Sequence, residues 1–168
     1  MSKCIFLDRV GVLNEEIGDY VFKKEEFKIV AGVPEALRQL KAAGYLLIVI
    51  TNQSGIAKGL YSRNDVLDCH EILQNKCDYL IDDIYFCPHH EDFDTASLLK
   101  KPDSLMIEKA MAKYNIDATK SWMIGDQPRD IEAGQKAGLR TIFISQNKKE
   151  ASASVNTSSL LNAVSFVN

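Results

Sequence analysis

Tyr45-Leu46-Leu47-Ile48-Val49-Ile50 runs directly into Thr51-Asn52-Gln53-Ser54-Gly55. A continuous apolar run of that length, ending in β-branched residues, suits a strand covered on both faces. Such strands belong to parallel sheets with helices on either side. The abrupt change to small polar residues at Thr51 marks the carboxyl end of the strand. In sheets of this kind the carboxyl ends share one edge, and ligands bind there. The residues just after each strand are therefore the informative part of the chain.

Working outward, Cys4-Ile5-Phe6-Leu7 is an earlier apolar run, and the spacing predicts a helix over 34–43 between the two. Val33, Ala36, Leu37 and Leu40 share one face of it, Pro34 suits its first turn, and Gly44 is a natural stop. A second helix is expected over 62–78, where Ser62 and Asp65 resemble a capping box and Val66, Cys69, Leu73, Cys77 and Leu80 repeat at helical spacing. His70 is expected on the rim of that helix. Ile84-Tyr85-Phe86 reads as a third strand, and Ile107, Ala110, Met111 and Tyr114 predict a helix over 104–114. Trp122-Met123-Ile124 is a fourth strand, with Trp122 in the core, followed by a helix over 129–137 that stops at Gly138. Thr141-Ile142-Phe143-Ile144 is a fifth strand. The segment 145–159, rich in Ser, Asn and Lys, is expected to be a mobile surface stretch. Leu160, Leu161, Val164 and Phe166 are expected to dock a short closing helix.

Alternation of strand and helix predicts an α/β fold with a central parallel sheet and helices on both faces. The 168 residues predict a single domain over 1–168 with one sizeable core. Twenty basic and 23 acidic side chains leave a formal charge of −3. That balance argues against an electrostatic grip on nucleic acid or an anionic membrane. No apolar run approaches the ~20 residues of a bilayer span. The opening Met1-Ser2-Lys3-Cys4-Ile5-Phe6-Leu7 is too short for a signal peptide, so a cytoplasmic protein and a monomer are the expectation. Cys4, Cys69, Cys77 and Cys87 then read as reduced thiols.

The strand ends carry the chemistry. Asp8-Arg9-Val10-Gly11-Val12-Leu13-Asn14 follows the first strand and Thr51-Asn52-Gln53-Ser54-Gly55 the second. Cys87-Pro88-His89-His90 follows the third, with Lys100-Lys101-Pro102 beyond, and Gly125-Asp126-Gln127-Pro128-Arg129-Asp130 closes the fourth. Any one of these reads as an ordinary strand end and turn. Four in register place Asp8, Asp126, Asp130, Thr51, Asn52 and Lys101 on one rim. Carboxylates so gathered repel and raise each other's pKa unless a cation intervenes, and Mg²⁺ takes such oxygen ligands together with water and phosphate. Lys101, Thr51 and Asn52 would complete a cradle for a phosphoryl group.

Taken in order, these four motifs resemble the haloacid dehalogenase-like phosphatases, over most of the chain from Ile5 to about Ile144. Within them the chain is similar to the D,D-heptose 1,7-bisphosphate phosphatases and the related histidinol-phosphate phosphatases. The resemblance implies a three-layer Rossmannoid fold without a large cap domain, with insertions near 15–28 and 89–101 walling the site. It implies that Asp8 is a nucleophile forming an aspartyl-phosphate, and that Mg²⁺ is held by Asp8, the backbone carbonyl of Val10 and Asp126, with Asp130 behind them. Thr51 and Asn52 would bind the transferring phosphoryl group and Lys101 would stabilise its charge. Lys100 and Arg129 would reach the substrate, a small phosphorylated sugar.

Two departures from the family pattern matter. The family has Asp at position 10, where it protonates the leaving alkoxide and later activates water; here the residue is Val10. A valine transfers no protons, and a general acid–base group is worth about 10²–10⁴ in rate. The change is consistent with a substitution in an otherwise complete phosphatase, with a natural enzyme that uses another proton donor such as water, or with a non-catalytic phosphate-binding homologue. The first is favoured because every other part remains. Cys87 and His89 match half of the heptose branch's structural zinc site, but Ser97-Leu98-Leu99 stands where two further thiolates belong. With half the usual four ligands, zinc is not expected. A milder departure is Lys100, which stands where the family often has Arg, a better bidentate clamp for a second phosphate. A phospho-acceptor signalling domain also has acidic strand ends and a lysine, but the Thr51-Asn52 pair and the Gly125-Asp126 placement fit it poorly.

Overall fold

The computed structural model describes residues 1–167. In chain order the elements are β1 (Cys4–Leu7), α1 (Val33–Ala42), β2 (Leu46–Asn52), α2 (Arg63–Lys76), β3 (Asp83–Cys87), α3 (Leu105–Tyr114), β4 (Trp122–Gly125), α4 (Pro128–Lys136), β5 (Arg140–Ile144), β6 (Val155–Thr157) and α5 (Leu160–Val167). All six strands run parallel in one sheet of order β3-β2-β1-β4-β5-β6. This is the α/β architecture expected.

The pleat explains how one short strand serves two cores. Alternate side chains of β1 point to opposite faces. Ile5 and Leu7 join α1, α2 and α5 in one cluster, through Leu37, Leu40, Leu73 and Val164. Cys4 and Phe6 join α3 and α4 in the other, through Met106, Ile107, Ala110 and Ala133. Burial on both sides is why β1 and β2 read as unbroken apolar runs rather than alternating ones. Trp122 lies in the first cluster, as expected.

Capping fixes where α2 starts. The Ser62 hydroxyl accepts from the Asp65 N–H at 3.2 Å, and the Ser62 N–H donates to Asp65 Oδ2 at 2.7 Å. The other helices start and stop within a residue or two of the expected positions. β3 is longer than expected and ends on Cys87, which makes that thiol part of the strand.

Three expectations are corrected. The stretch 145–159 contains β6, paired in parallel with β5. Thr141 and Ser154 exchange hydrogen bonds at 3.1 Å through their side-chain oxygens, and the Ser145 N–H donates to the Thr157 carbonyl at 2.9 Å. The closing helix docks through Leu160, Ala163, Val164 and Val167, one helical face. Leu161 and Phe166 point outward. His70 is buried, not on a rim, with its ring edge-on to Phe86 at 5.7 Å.

The strand order reverses between β1 and β4, and a cleft opens where successive connections leave in opposite directions. Leu7 pairs with Val49 of β2 and Ile124 of β4. The residues just beyond those pairs therefore meet at the mouth of that cleft.

Candidate active site

Asp8 follows β1 directly. Its N–H donates to the Ile124 carbonyl at 3.0 Å, fastening the end of β1 to β4. The chain then turns sharply, with the Arg9 carbonyl accepting from the N–H groups of Leu13 (2.8 Å) and Asn14 (3.0 Å). Gly11 in this turn has φ +83°. A Cβ there would run into the Asp126 carboxylate, so the loop passes the acid closely only as glycine. Asp8 and Asp126 thus come together from the ends of two neighbouring strands.

Lys101 arrives from the far side, through the segment after β3. It is 1% exposed, and its Nζ lies 2.8 Å from Asp8 Oδ1, 2.7 Å from Asp130 Oδ1 and 2.7 Å from the Ile50 carbonyl oxygen, to which it donates. An ammonium has three protons. All three therefore have an acceptor within reach in the protein. Asn52 holds the same lysine by its main chain: Oδ1 accepts from the Lys101 N–H and Nδ2 donates to the Lys101 carbonyl, both at 3.0 Å. Asp130 also accepts the Gln127 N–H at 3.0 Å, at the start of α4.

The charges do not balance. Burial first, and the Asp8 charge second, push Asp126 up to about 6 against the donation of Gln127 Nε2. Asp130 is raised by burial and by Asp8, with Lys101 opposing. Burial works to lower Lys101, but Asp130 and Asp8 outweigh it and hold the ammonium charged. Oxygens of Asp8, Asp126 and Asp130 lie within 4.8 Å of one another, and Asp126 Oδ1 is buried without a hydrogen-bond partner. A hard divalent cation fits this donor set, since Mg²⁺ takes few carboxylates and keeps the remaining positions for water or phosphate.

The family profile described as haloacid dehalogenase-like hydrolase matches residues 9–144. The chain belongs to that family. It is therefore an enzyme, a hydrolase, as the strand-end motifs implied. A Haemophilus influenzae protein named D-glycero-β-D-manno-heptose-1,7-bisphosphate 7-phosphatase is 43% identical over 151 residues, covering 83% of this chain and 79% of its own. A Campylobacter jejuni phosphatase named for the α-anomer is 40% identical over 153 residues, covering 89% of this chain and 86% of its own. In structure, the D,D-heptose 1,7-bisphosphate phosphatase of B. bronchiseptica, complexed with magnesium and phosphate, aligns with TM-score 0.87 at 25% identity, covering 98% of this chain and 97% of that one.

In this hydrolase the remaining expected residues fall into two groups. Val10, Thr51, Asn52, Lys100 and Arg129 line a cleft of about 470 Å³ beside Asp8, Lys101 and Asp126. Lys100 is ion-paired there with Glu91, and Arg129 lies exposed in the first turn of α4. Residues from 16–21, together with His90 and Lys100, wall the cleft, as the two insertions were expected to do. Cys87 and His89 stand apart. The Cys87 thiol is buried, and that burial raises its pKa. His89 Nδ1 lies 2.6 Å from Asp94 Oδ2. Two such ligands fall short of the four Cys or His that a structural zinc site takes.

Sequence reasoning passed over Arg9, Gln53 and Tyr61. Arg9 is 1% exposed, donates from Nη2 to the Val21 carbonyl at 2.6 Å and lies 5.4 Å from the Phe27 ring, pinning the wall segment. Gln53 and Tyr61 bond each other at 2.9 Å beneath the cleft. The signal for Gln53 was its place two residues after Thr51. Tyr61 offered none, because its contact is made across a turn.

Proposed function

We propose that this chain is a Mg²⁺-dependent phosphatase acting on a heptose 1,7-bisphosphate-like sugar phosphate through an aspartyl-phosphate on Asp8, and that Val10 slows it. The observation that carries the reading is the meeting of Asp8 and Asp126, far apart in sequence, beside Lys101. The named phosphatases at 43% and 40% identity support the substrate class. They include both anomers, so the reading extends to the bisphosphate and not to one anomer.

In this proposal the Asp8 carboxylate attacks phosphorus and the ester P–O bond breaks. The departing sugar alkoxide takes a proton from water, because Val10 has none to give. Water then attacks the phosphorus of the aspartyl-phosphate, releasing inorganic phosphate and restoring Asp8. Thr51 binds the phosphoryl oxygens. Lys101 holds the Asp8 carboxylate in place and offsets developing negative charge. Asp8, the Val10 carbonyl and Asp126 would hold the ion, with Asp130 supporting through Lys101. A bound Mg²⁺ would withdraw charge from the phosphoryl oxygens and lessen the repulsion between Asp8 and the incoming phosphate. Lys100 and Arg129 contact the rest of the substrate. The chain acts as one domain and as a monomer.

The test is phosphate release from heptose 1,7-bisphosphate with Mg²⁺, by the chain and by Val10→Asp. The chain should be slow and the variant faster by about 10²–10⁴-fold. An inactive variant across a phosphosugar panel that includes histidinol phosphate would overturn the catalytic reading. One observation, Val10 itself, favours a second reading, a non-catalytic phosphate-binding homologue. That reading expects Mg²⁺-dependent phosphate binding with no turnover in either protein.

A further inference from the structure

The Thr51 hydroxyl has one proton to give and two lone pairs to fill. It is 1% exposed at the end of β2 and lines the cleft. Gln53 Nε2 donates to Thr51 Oγ1 at 3.0 Å, and the phenol of Tyr61 donates to Gln53 Oε1 at 2.9 Å. Gln53 and Tyr61 are themselves buried. We propose that Gln53 and Tyr61 are positioning residues that turn the Thr51 hydroxyl proton into the cleft, toward a phosphoryl oxygen.

The polarity of the relay is set by its donors and acceptors. The phenol of Tyr61 faces the Gln53 amide oxygen, which can only accept, so the phenol gives its proton to Gln53 Oε1. The amide nitrogen of Gln53 then faces Thr51 and donates to it. Thr51 cannot return its proton along the same bond. Its other acceptor within the protein is the Asn52 carbonyl at 3.5 Å, beyond the usual 2.5–3.0 Å for an O–H···O bond. The proton is left for whatever enters the cleft.

The relay is also built into the wall. Gly55 has no side chain, and a Cβ there would collide with the Tyr61 ring, so only glycine lets the phenol sit over this turn. The Tyr61 ring also stacks on Phe22, with ring centres 4.9 Å apart at 18°, and tilts against Tyr20 at 5.7 Å. One ring thus seats the wall of the cleft and orients the hydroxyl at its floor.

The inference rests on the proposed phosphoryl site, and the experiment separates the two. Inorganic phosphate is titrated calorimetrically into the chain in saturating Mg²⁺, a readout independent of Val10. Thr51→Val should weaken binding by roughly tenfold or more, as loss of a hydrogen bond to a charged group does. Gln53→Met keeps size and neutrality but removes the amide, and should weaken binding roughly threefold to tenfold. Tyr61→Phe keeps the stack, removes only the phenol and should act in the same direction. It carries the test if Gln53→Met fails to fold. On the Thr51→Val background both changes should have no further effect, which a purely structural role would not produce. Parent-like binding by Gln53→Met and Tyr61→Phe, or equal losses on both backgrounds, overturns the relay. No phosphate binding by the parent, or none of its affinity lost in Thr51→Val, defeats the phosphoryl site and the relay with it.

Discussion

Asn52 and Lys101, 49 residues apart, are joined by a clasp in which one carboxamide bonds both the N–H and the carbonyl of the lysine's main chain at 3.0 Å. The clasp ties the end of β2 to the segment after β3, and so sets where the Lys101 ammonium stands relative to Asp8. Asn52→Ala would leave a buried N–H and carbonyl without these partners. A loss of about 1–3 kcal/mol of unfolding free energy is expected, together with weaker phosphate binding. Urea titration measures the first and calorimetry the second. An unchanged urea midpoint would show the clasp to be idle.

Among the described residues, Lys101 is the one cation placed between Asp8 and Asp130 (2.8 and 2.7 Å). Removing one member of a buried ionic cluster costs about 3–5 kcal/mol, because the remaining charges stay buried without compensation. Lys101→Met is expected to lose that much, and adding Asp130→Asn should recover part of it. Asp130 already has a folded pKa raised by burial and Asp8. A carboxyl raised in the fold contributes stability at low pH and loses it as pH rises through the folded value. The deficit of Lys101→Met should therefore shrink on acidification. Equal deficits at pH 5 and 8 would contradict this account.

The site was legible because its side chains stand at the ends of strands buried on both faces. Such strands announce themselves as continuous apolar runs, and the first polar residue after each falls at the shared edge. Asp8, Thr51 and Asp126 were found in that way. β6 was not, because Val155–Thr157 is an edge strand on which most side chains meet solvent, and its polar composition matches a loop. His70 was misplaced for a related reason. Its burial comes from Phe86 on the sheet, and helical spacing alone does not place a strand residue against a helix. The relay through Gln53 and Tyr61 depends on which end of an amide faces which hydroxyl, a property of geometry alone.

Gly134 gives a prediction whose sign opposes helix propensity. It lies within α4, where alanine would normally stabilise by about 1 kcal/mol over glycine. Here an added Cβ would come within 2.6 Å of Met123 Cβ and 2.9 Å of Thr141 Cγ2, on the adjacent strands β4 and β5. Those atoms are fixed by the sheet, so the helix must move away from it. Overpacking of this kind costs about 1–3 kcal/mol. Gly134→Ala should therefore melt below the parent in a thermal scan. A higher melting temperature would show that α4 has room to shift.

His70 makes stability depend on pH in a defined window. Burial first, and the nearby Arg9 guanidinium second, push its imidazole down to about 3, and its Nε2 is buried without a partner. An unfolded histidine titrates near ~6.5. Between those values the unfolded chain binds a proton that the folded chain does not, so stability rises with pH across that window and is fully present above it. The slope from this one group is at most about 1.4 kcal/mol per pH unit. His70→Gln cannot be protonated, so its urea midpoint should fall less than the parent's between pH 6.5 and 4.5. The difference should vanish between pH 7.5 and 8.5. Parallel curves for the two proteins throughout would show that His70 is charged in the fold, or that it titrates alike in both states.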